Sequence, residues 1–435
     1  MGRLAACALL SLLPLAQARA ETYTLAEAVH YALAHNPGLA ASGKVVEMEG
    51  YSVMEARGER LPRVDITGGL IHSRYALPVT PISGPPTAQG FPEFDDTLYD
   101  AGVTLTLPLY RGGRLARGVS IAEAGKSVAE DLFALGRQEL AFNVASAYFK
   151  VLQLEKTLLS SEETVRQLEA HRRNVELHLE AGSVPRVDLL RTETELAHAR
   201  QNAIAVRNSL QSARELLKAL MGFEDLGREI SLVPESLAAA SPGLARTGLE
   251  DALARRPDYQ AALKETAMAA EGVRLAEGRR LPSLDIVGEF SEKTGADYFE
   301  PRENWLMGVR LTLPVFDGGV IRSQVGRQKK ALERAGEVER SLRLRIAREV
   351  RDARREMENA SERIGVAEKA LGAARESLRI ELLRFDAGEG TSTDVMDAQA
   401  ALLRAETEYY QGLYDREIAM ASLIKAVGLE IYREE

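Results

Sequence analysis

The sequence predicts a mainly α-helical chain carrying four β-strands of membrane-spanning length, built as a duplicated helix-strand-strand-long helix-helix repeat. Three observations predict this: sequence motifs recur at fixed offsets, two proline-free stretches keep a 4-3 apolar spacing, and four segments alternate apolar with polar residues. Composition narrows the class. With 435 residues, 45% hydrophobic and 27% charged, the chain can bury a sizeable core and is too apolar for disorder. A formal charge of -9 leaves no excess of cations to displace phosphate counterions, so no nucleic-acid partner is expected. Cys7 is the single cysteine, which excludes a disulfide framework and a thiolate cluster. Six histidines, none in an HExxH arrangement, give no support for a zinc enzyme.

Residues 1–20 read as a secretory signal peptide. Arg3 precedes an apolar stretch from Leu4 to Ala16, and Ala18-Arg19-Ala20 supplies an A-x-A cleavage signature. The exported chain then begins at Glu21 and leaves Cys7 behind. No later run of 18 apolar residues follows, so no transmembrane helix is expected.

The remainder is written twice. Ala56-x-Gly58-x-Arg60-Leu61-Pro62-x-x-Asp65-Ile66-x-Gly68 recurs from Ala276 to Gly288 at an offset of 220, which Pro37 and Pro257 share. Gly102-Val103-x-Leu105-Thr106-Leu107-Pro108-x-x-x-Gly112-Gly113 recurs from Gly308 to Gly319 at an offset of 206, and Gly182/Gly388 and Gly222/Gly428 keep it. The first copy is therefore 14 residues longer between Gly68 and Gly102, where Ala76 to Asp96 holds five prolines. A length change confined to one segment reads as an exposed loop. The first copy is assigned to 21–222, a linker to 223–246, the second copy to 247–428 and a C-terminal tail to 429–435.

Each copy opens with a helical segment, 25 to 60 and 249 to 280. The strands follow, at about 63–75 and 97–108, then about 283–293 and 304–314. Val64, Ile66 and Leu70 alternate with Asp65 and Thr67; Trp305, Met307, Val309, Leu311 and Leu313 alternate with Gly308, Arg310 and Thr312, with Leu306 as the exception. Period 2 with one apolar face and about ten residues per strand suits tilted membrane strands, and suits equally amphipathic hairpins on a soluble core. Pro108 and Pro314 are expected at the strand-to-helix transition, where Gly112-Gly113 and Gly318-Gly319 permit the turn. The long helices, about 113–181 and 319–387, place Leu140, Val144, Ala147 and Val151, then Ile346, Val350, Ala353 and Met357, on a 3.5-residue period. That period implies left-handed coiled-coil packing, over roughly 100 Å at 1.5 Å per residue. Helices of that length need more apolar cover than one chain supplies, so an oligomer is implied.

The duplicated layout, TLAEAVHYALAHNP near the exported start and LPVFDGG at Leu313 to Gly319 together resemble the TolC-like outer membrane efflux protein family. The likeness covers nearly the whole exported chain. It implies a homotrimer in which four strands per chain form one shared twelve-stranded outer membrane β-barrel in contact with lipid. A periplasmic α-helical tunnel continues the barrel, with an equatorial belt that here includes the linker. The residues agree with this: four strands cannot close a membrane barrel in one chain while three copies can, and an open strand edge cannot face lipid. Tyr99, Tyr298 and Trp305 lie near strand ends, where an aromatic belt would sit.

The resemblance also assigns the turns between long and following helices to a periplasmic entrance that docks an adaptor protein. These turns hold Gly182, Ser183, Val184 and Asp188 in the first copy and Phe385, Gly388 and Gly390 in the second. Asp394 and Asp397 match the family's constricting acidic rings; a plain helix-start carboxylate is the other reading of Asp394. Crowding in the rings would push some of these carboxyls up. A family latch joins an Asp of the first turn to a Tyr and an Arg of the second. Asp188 fits the Asp, whereas Phe385 and Gly390 stand at the other two places and cannot bond it, so that latch is expected to be absent. Arg111, where the second copy has Asp317, is a further departure.

Gly125-Lys126-Ser127 lies inside a long helix and lacks the glycine a phosphate loop needs at Ser120. His171 and His178 are too far apart along one helix to share a metal unaided and are expected at the surface. The arginines from Arg340 to Arg355 are interspersed with acids and read as a solvated face. No nucleophile-base pair stands out. The expected function is a passive exit duct, without cofactor, metal or catalysis, driven by an inner membrane pump through the adaptor. An exit channel for a type I secreted polypeptide and a pore-less periplasmic coiled-coil protein are the alternatives.

Overall fold

The computed structural model describes residues 21–79, 93–237, 248–297 and 302–431. Residues 1–20, expected to be a signal peptide, Tyr298 and most of the proline-rich insertion lie outside them. The elements run β1 (Glu21–Tyr23), α1 (Leu25–His35), α2 (Pro37–Gly58), β2 (Arg63–Pro78), β3 (Phe94–Arg111), α3 (Arg114–Glu180), α4 (Arg186–Met221) and β4 (Ile230–Leu232). They continue α5 (Leu249–Arg255), α6 (Pro257–Glu277), β5 (Ser283–Gly295), β6 (Arg302–Thr312), α7 (Val320–Asp386) and α8 (Ser392–Ala426). Among these residues no helix is long and apolar enough to cross a membrane.

Both long helices have 67 residues, or about 100 Å. Their buried residues keep the expected spacing: Leu140, Val144, Ala147 and Val151 in α3, and Ile346, Val350, Ala353, Ala360, Ala367, Leu371 and Leu378 in α7. The 25–60 and 249–280 segments each differ from the single helix expected. Asn36 and Arg256 both take extended backbone (ψ 120), so helix gives way to helix at Pro37 and Pro257. Proline disfavours helical conformation in the residue before it and suits the first position of a new helix. Asn36 caps the restart by accepting from the Leu39 N–H at 3.0 Å.

The described parts of the linker and tail join the core of the fold. β4 pairs in parallel with β1, tying 230–232 to the start of the exported chain. Tyr148, fully buried, sets its hydroxyl 3.0 Å from the Tyr23 carbonyl oxygen and 2.5 Å from that of Val233. Buried Glu417 of α8 accepts from the Leu237 N–H at 2.7 Å and the Ser236 hydroxyl at 3.0 Å. Ile431 packs into the same main core, beside Leu25, Val144 and Ile424. This belt is where α1, the middles of α3 and α7, and the C-terminal ends of α4 and α8 meet.

Candidate functional site

The four long strands form one antiparallel sheet in the order β2-β3-β5-β6, with register that separates its two faces. Ile66 pairs with Val103, Val103 with Phe290, and Phe290 with Trp305. The next rung of that face runs Val64, Leu105, Gly288 and Met307. The opposite face carries Asp65, Thr104 and Glu289 in one rung and Thr67, Gly102, Ser291 and Asn304 in another, with Leu306 as an apolar intruder beside Glu289. Trp305, Met307, Val309 and Leu311 are all exposed in the single chain. Among the described residues the outer strands β2 and β6 each have one unpaired edge.

At the helical end of the sheet, the chain turns from strand to helix through Gly112 (φ 62) and Gly113 (φ 74), and through Gly318 (φ 64) and Gly319 (φ 85). A positive φ is where glycine escapes the Cβ clash. Pro314 lies just beyond β6, but Pro108 lies inside β3, which extends to Arg111. The register shifts between Pro108 and Tyr110, so a bulge absorbs the missing N–H where a continuous ladder would need it. Gly112 is also a site of close approach: a Cβ there would lie 2.2 Å from the Gly278 carbonyl oxygen. Arg111 pairs with Asp285 at 3.1 Å, while Asp317 instead accepts from the Gly319 and Ile321 N–H groups at 3.0 and 2.6 Å.

At the far end, the two helical turns are near copies. Gly182 and Gly388 both have φ 75 and close their helices with bonds to Leu179 and Phe385 carbonyls at 3.0 Å. The Ser183 hydroxyl donates to the His178 carbonyl at 2.8 Å, and Val184 leans on a small core of Val175, Leu378, Phe385, Val395 and Ala398. Phe385 is therefore a core residue, ring-packed against His171 and His178 at 4.9 and 5.3 Å, rather than a group facing Asp188. Gly390 sits so close to Arg384 and Phe385 that a Cβ would come within 3.1 Å of both, and its N–H donates to the Arg384 carbonyl at 3.0 Å. Asp188 starts α4, and its carbonyl accepts from the Thr192 hydroxyl at 2.8 Å.

Asp394 and Asp397 are both exposed on α8. Asp394 completes a capping box: its carboxylate accepts from the Thr391 hydroxyl at 2.7 Å and N–H at 3.1 Å, and its own N–H donates back at 3.2 Å. The Thr391 hydroxyl bond first, then the N–H bond, hold the Asp394 carboxyl below the usual range within the single chain. Asp397, with Met396, lines a groove of about 400 Å3 between α4 and α8, walled opposite by Val187, Leu190 and Arg191. Among the described residues no group of three His, Cys, Asp or Glu is placed to hold a metal ion.

One feature of this end does not follow from the sequence pattern. His171 is not on the surface but 4% exposed, with Nε2 2.9 Å from the Ser392 hydroxyl, which lies 3.2 Å from that of Thr192. Its place opposite the second turn depends on how two distant hairpins dock, which no local spacing reports.

Comparison with known proteins follows the same architecture. The pattern defining a family described as outer membrane efflux protein matches residues 28–223 and 248–429, both copies of the repeat. The outer membrane protein TolC of Salmonella enteritidis is 24% identical over 411 residues, covering 90% of this chain and 79% of its own. Among solved structures, a membrane protein from Pseudomonas aeruginosa aligns with TM-score 0.81 and 20% identity over 93% of this chain and 92% of its own. The outer membrane protein VceC from Vibrio cholerae aligns with TM-score 0.79 and 18% identity over 94% and 97%.

Proposed function

The chain belongs to the outer membrane efflux protein family, and from that premise we propose that three copies close into one passive duct, the exit of a tripartite efflux system. It is an outer membrane protein, like its relatives. One observation carries the proposal: surfaces buried inside the chain by one copy of the repeat are left open by the other. Gly112 presses on Gly278, yet their counterparts Gly318 and Gly58 each have open space where a Cβ would stand. Helix α3 packs on α2, α4, α6 and α8, whereas α7 packs chiefly on α6 and α8. Meanwhile α2 exposes Val45, Met48, Tyr51 and Met54. A neighbouring copy satisfies all of these at once if its first repeat meets this chain's second.

The offsets then give the register across the interface. Val103 pairs with Phe290 within the chain, so Val309 should pair with Leu70 of the next copy. Lys264 bonds Asp131 at 2.5 Å, so Lys44 should meet Glu337 of the next copy. Repeating that contact pairs both free edges, giving twelve strands with the Ile66-Val103-Phe290-Trp305 face toward lipid and the Asp65-Thr104-Glu289 face toward the lumen. The helices extend into the periplasm as a tunnel. Its entrance is formed by the turns at Gly182 and Gly388, with Asp394 and Asp397 of three chains making two acidic rings. The α4/α8 groove there receives a periplasmic adaptor, through which an inner membrane pump supplies the energy.

The test is a Leu70→Cys/Val309→Cys pair, in a chain whose only natural cysteine is Cys7. Oxidation should yield covalent trimers in outer membranes, and the purified trimers should conduct in planar bilayers. Cross-linked species confined to monomers, or trimers that do not conduct, would overturn the duct and leave a pore-less coiled-coil protein.

A further inference from the structure

Four helices meet around His171 at the periplasmic tip: α3 carries it, α4 presents Thr192, α7 presents Phe385 and Asp386, and α8 presents Ser392. The hydrogen-bond chain fixes the tautomer. The Thr192 hydroxyl donates to the Asp188 carbonyl at 2.8 Å, so its oxygen must accept from the Ser392 hydroxyl at 3.2 Å. The Ser392 oxygen must then accept from His171 Nε2–H at 2.9 Å. The neutral ring therefore keeps its lone pair on Nδ1, which is buried and has no hydrogen-bond partner among the described residues.

We propose that His171 is a proton-operated joint between the α3/α4 and α7/α8 hairpins: its neutral ring locks them together, and its protonation in mildly acidic surroundings loosens them. A proton added at Nδ1 would be buried with no acceptor, against the edge-packed Phe385 ring. Burying an unpaired N–H and a charge is costly, and the least disruptive relief is to part the hairpins and hydrate the ring. The charged group facing His171 is Asp386 of α7. Its carboxylate accepts from Asn174 Nδ2 at 2.7 Å, and it favours the cation only in part. From α8 and α4 the facing groups are the Ser392 and Thr192 hydroxyls, and on α3 itself His178 contacts the same Phe385 ring. The other polar ties between the hairpins here are Gln399 to Gln167 at 2.9 Å and Asn174 to Asp386, beside the small apolar core of Val175, Leu378, Phe385, Val395 and Ala398.

Burial lowers the His171 pKa from its ordinary value, outweighing the Asp386 charge and the Ser392 backbone, which both favour the cation. The sign follows. Above the free value of about 6.5 the joint is fully stable; below it, the parted form binds the proton better and gains ground as pH falls. Between pH 7.5 and 5.0 the parted form can gain up to about 30-fold over the closed one. That this parting widens the entrance rests on the duct proposed above; the loosening itself does not.

The test is amide exchange of residues 386–392 in the purified full-length trimer, corrected for the intrinsic pH dependence of exchange. Wild type should exchange faster at pH 5.0 than at 7.5, by up to about 30-fold. His171→Gln and His171→Leu, two fillings of the same site, should stay within about twofold across that range. A flat wild type, or variants that accelerate as wild type does, would overturn the joint. Bilayer conductance with the periplasmic side acidified separates the two readings. Faster exchange with unchanged conductance supports the joint and overturns its control of the entrance.

Discussion

Replacing Met307 by arginine tests the lipid-facing assignment where the effect should be largest. β6 spans 11 residues, Arg302–Thr312, and Met307 lies at its middle. At about 3.4 Å per residue and a tilt near 40°, the strand rises about 28 Å, close to the roughly 25 Å apolar band of an outer membrane barrel. In the proposed barrel Met307 would sit near the bilayer midplane, in the rung of Gly288, Leu105 and Val64. Arginine there should cost about 2–4 kcal/mol per chain, or about 6–12 kcal/mol for a trimer. Val309→Arg, two residues nearer the helical end, should cost less, about 1–3 kcal/mol per chain. Thr104→Arg is the control: it faces the other side, paired with Asp65 and Glu289, and should cost under about 0.5 kcal/mol. The assay is refolding from urea into lipid bilayers, with trimer yield read by heat-resistant migration. Equal losses for Met307→Arg and Thr104→Arg, or the reverse order, would refute the two-faced barrel.

Gly112→Ala combines left-handed strain of about 1–2 kcal/mol with a Cβ 2.2 Å from the Gly278 oxygen, so trimer yield should fall steeply. Gly318→Ala meets nothing within 4 Å among the described residues, yet should fall as far if Gly58 of the next copy lies against it, whereas Gly319→Ala, with the same kind of strain, should be milder. Asp394→Ala with Asp397→Ala should lower cation preference and block by multivalent cations in bilayer recordings; unchanged selectivity would remove the acidic rings. Because the folded-state pKa of Asp394 is lowered, its support of the α8 start should persist above about pH 3.9 and fade as pH drops through the lowered value, visible as weakened amide protection at Thr391 to Val395. Arg256→Ala should destabilise the belt by about 3–5 kcal/mol in urea unfolding, since Arg256 is 8% exposed and bonds both Asp258 and Glu349 at 2.7 Å. Asp188→Ala should leave conductance nearly unchanged; a large increase would show that Asp188 holds the entrance shut through another partner.

What the sequence determined by itself follows from periodicity and repetition, which are local or self-referential. A period of 2 marks the strands and a period of 3.5 marks α3 and α7, because each element gathers its apolar residues on one face and its spacing records which. The paired glycines at 112–113 and 318–319 mark turns because only glycine adopts their backbone freely. The offsets of 206 and 220 do more, since a duplicated chain implies that its two halves meet related neighbours. Splitting of the opening helices at Pro37 and Pro257 is also written in the residues, as an X-Pro boundary, although helical segments on both sides of it read as one. Other features depend on tertiary structure alone. Pro108 stays inside β3 because β5 accommodates a bulge opposite it, and β4 is a strand only because β1 lies beside it. Local pattern makes His171 a surface histidine, yet it is buried, with Phe385, where the two hairpins dock. Asp394 is tied to Thr391 before it can serve any ring. In each case a side chain's environment comes from residues more than a hundred positions away or from a specific cap geometry, and short-range spacing carries no information about either.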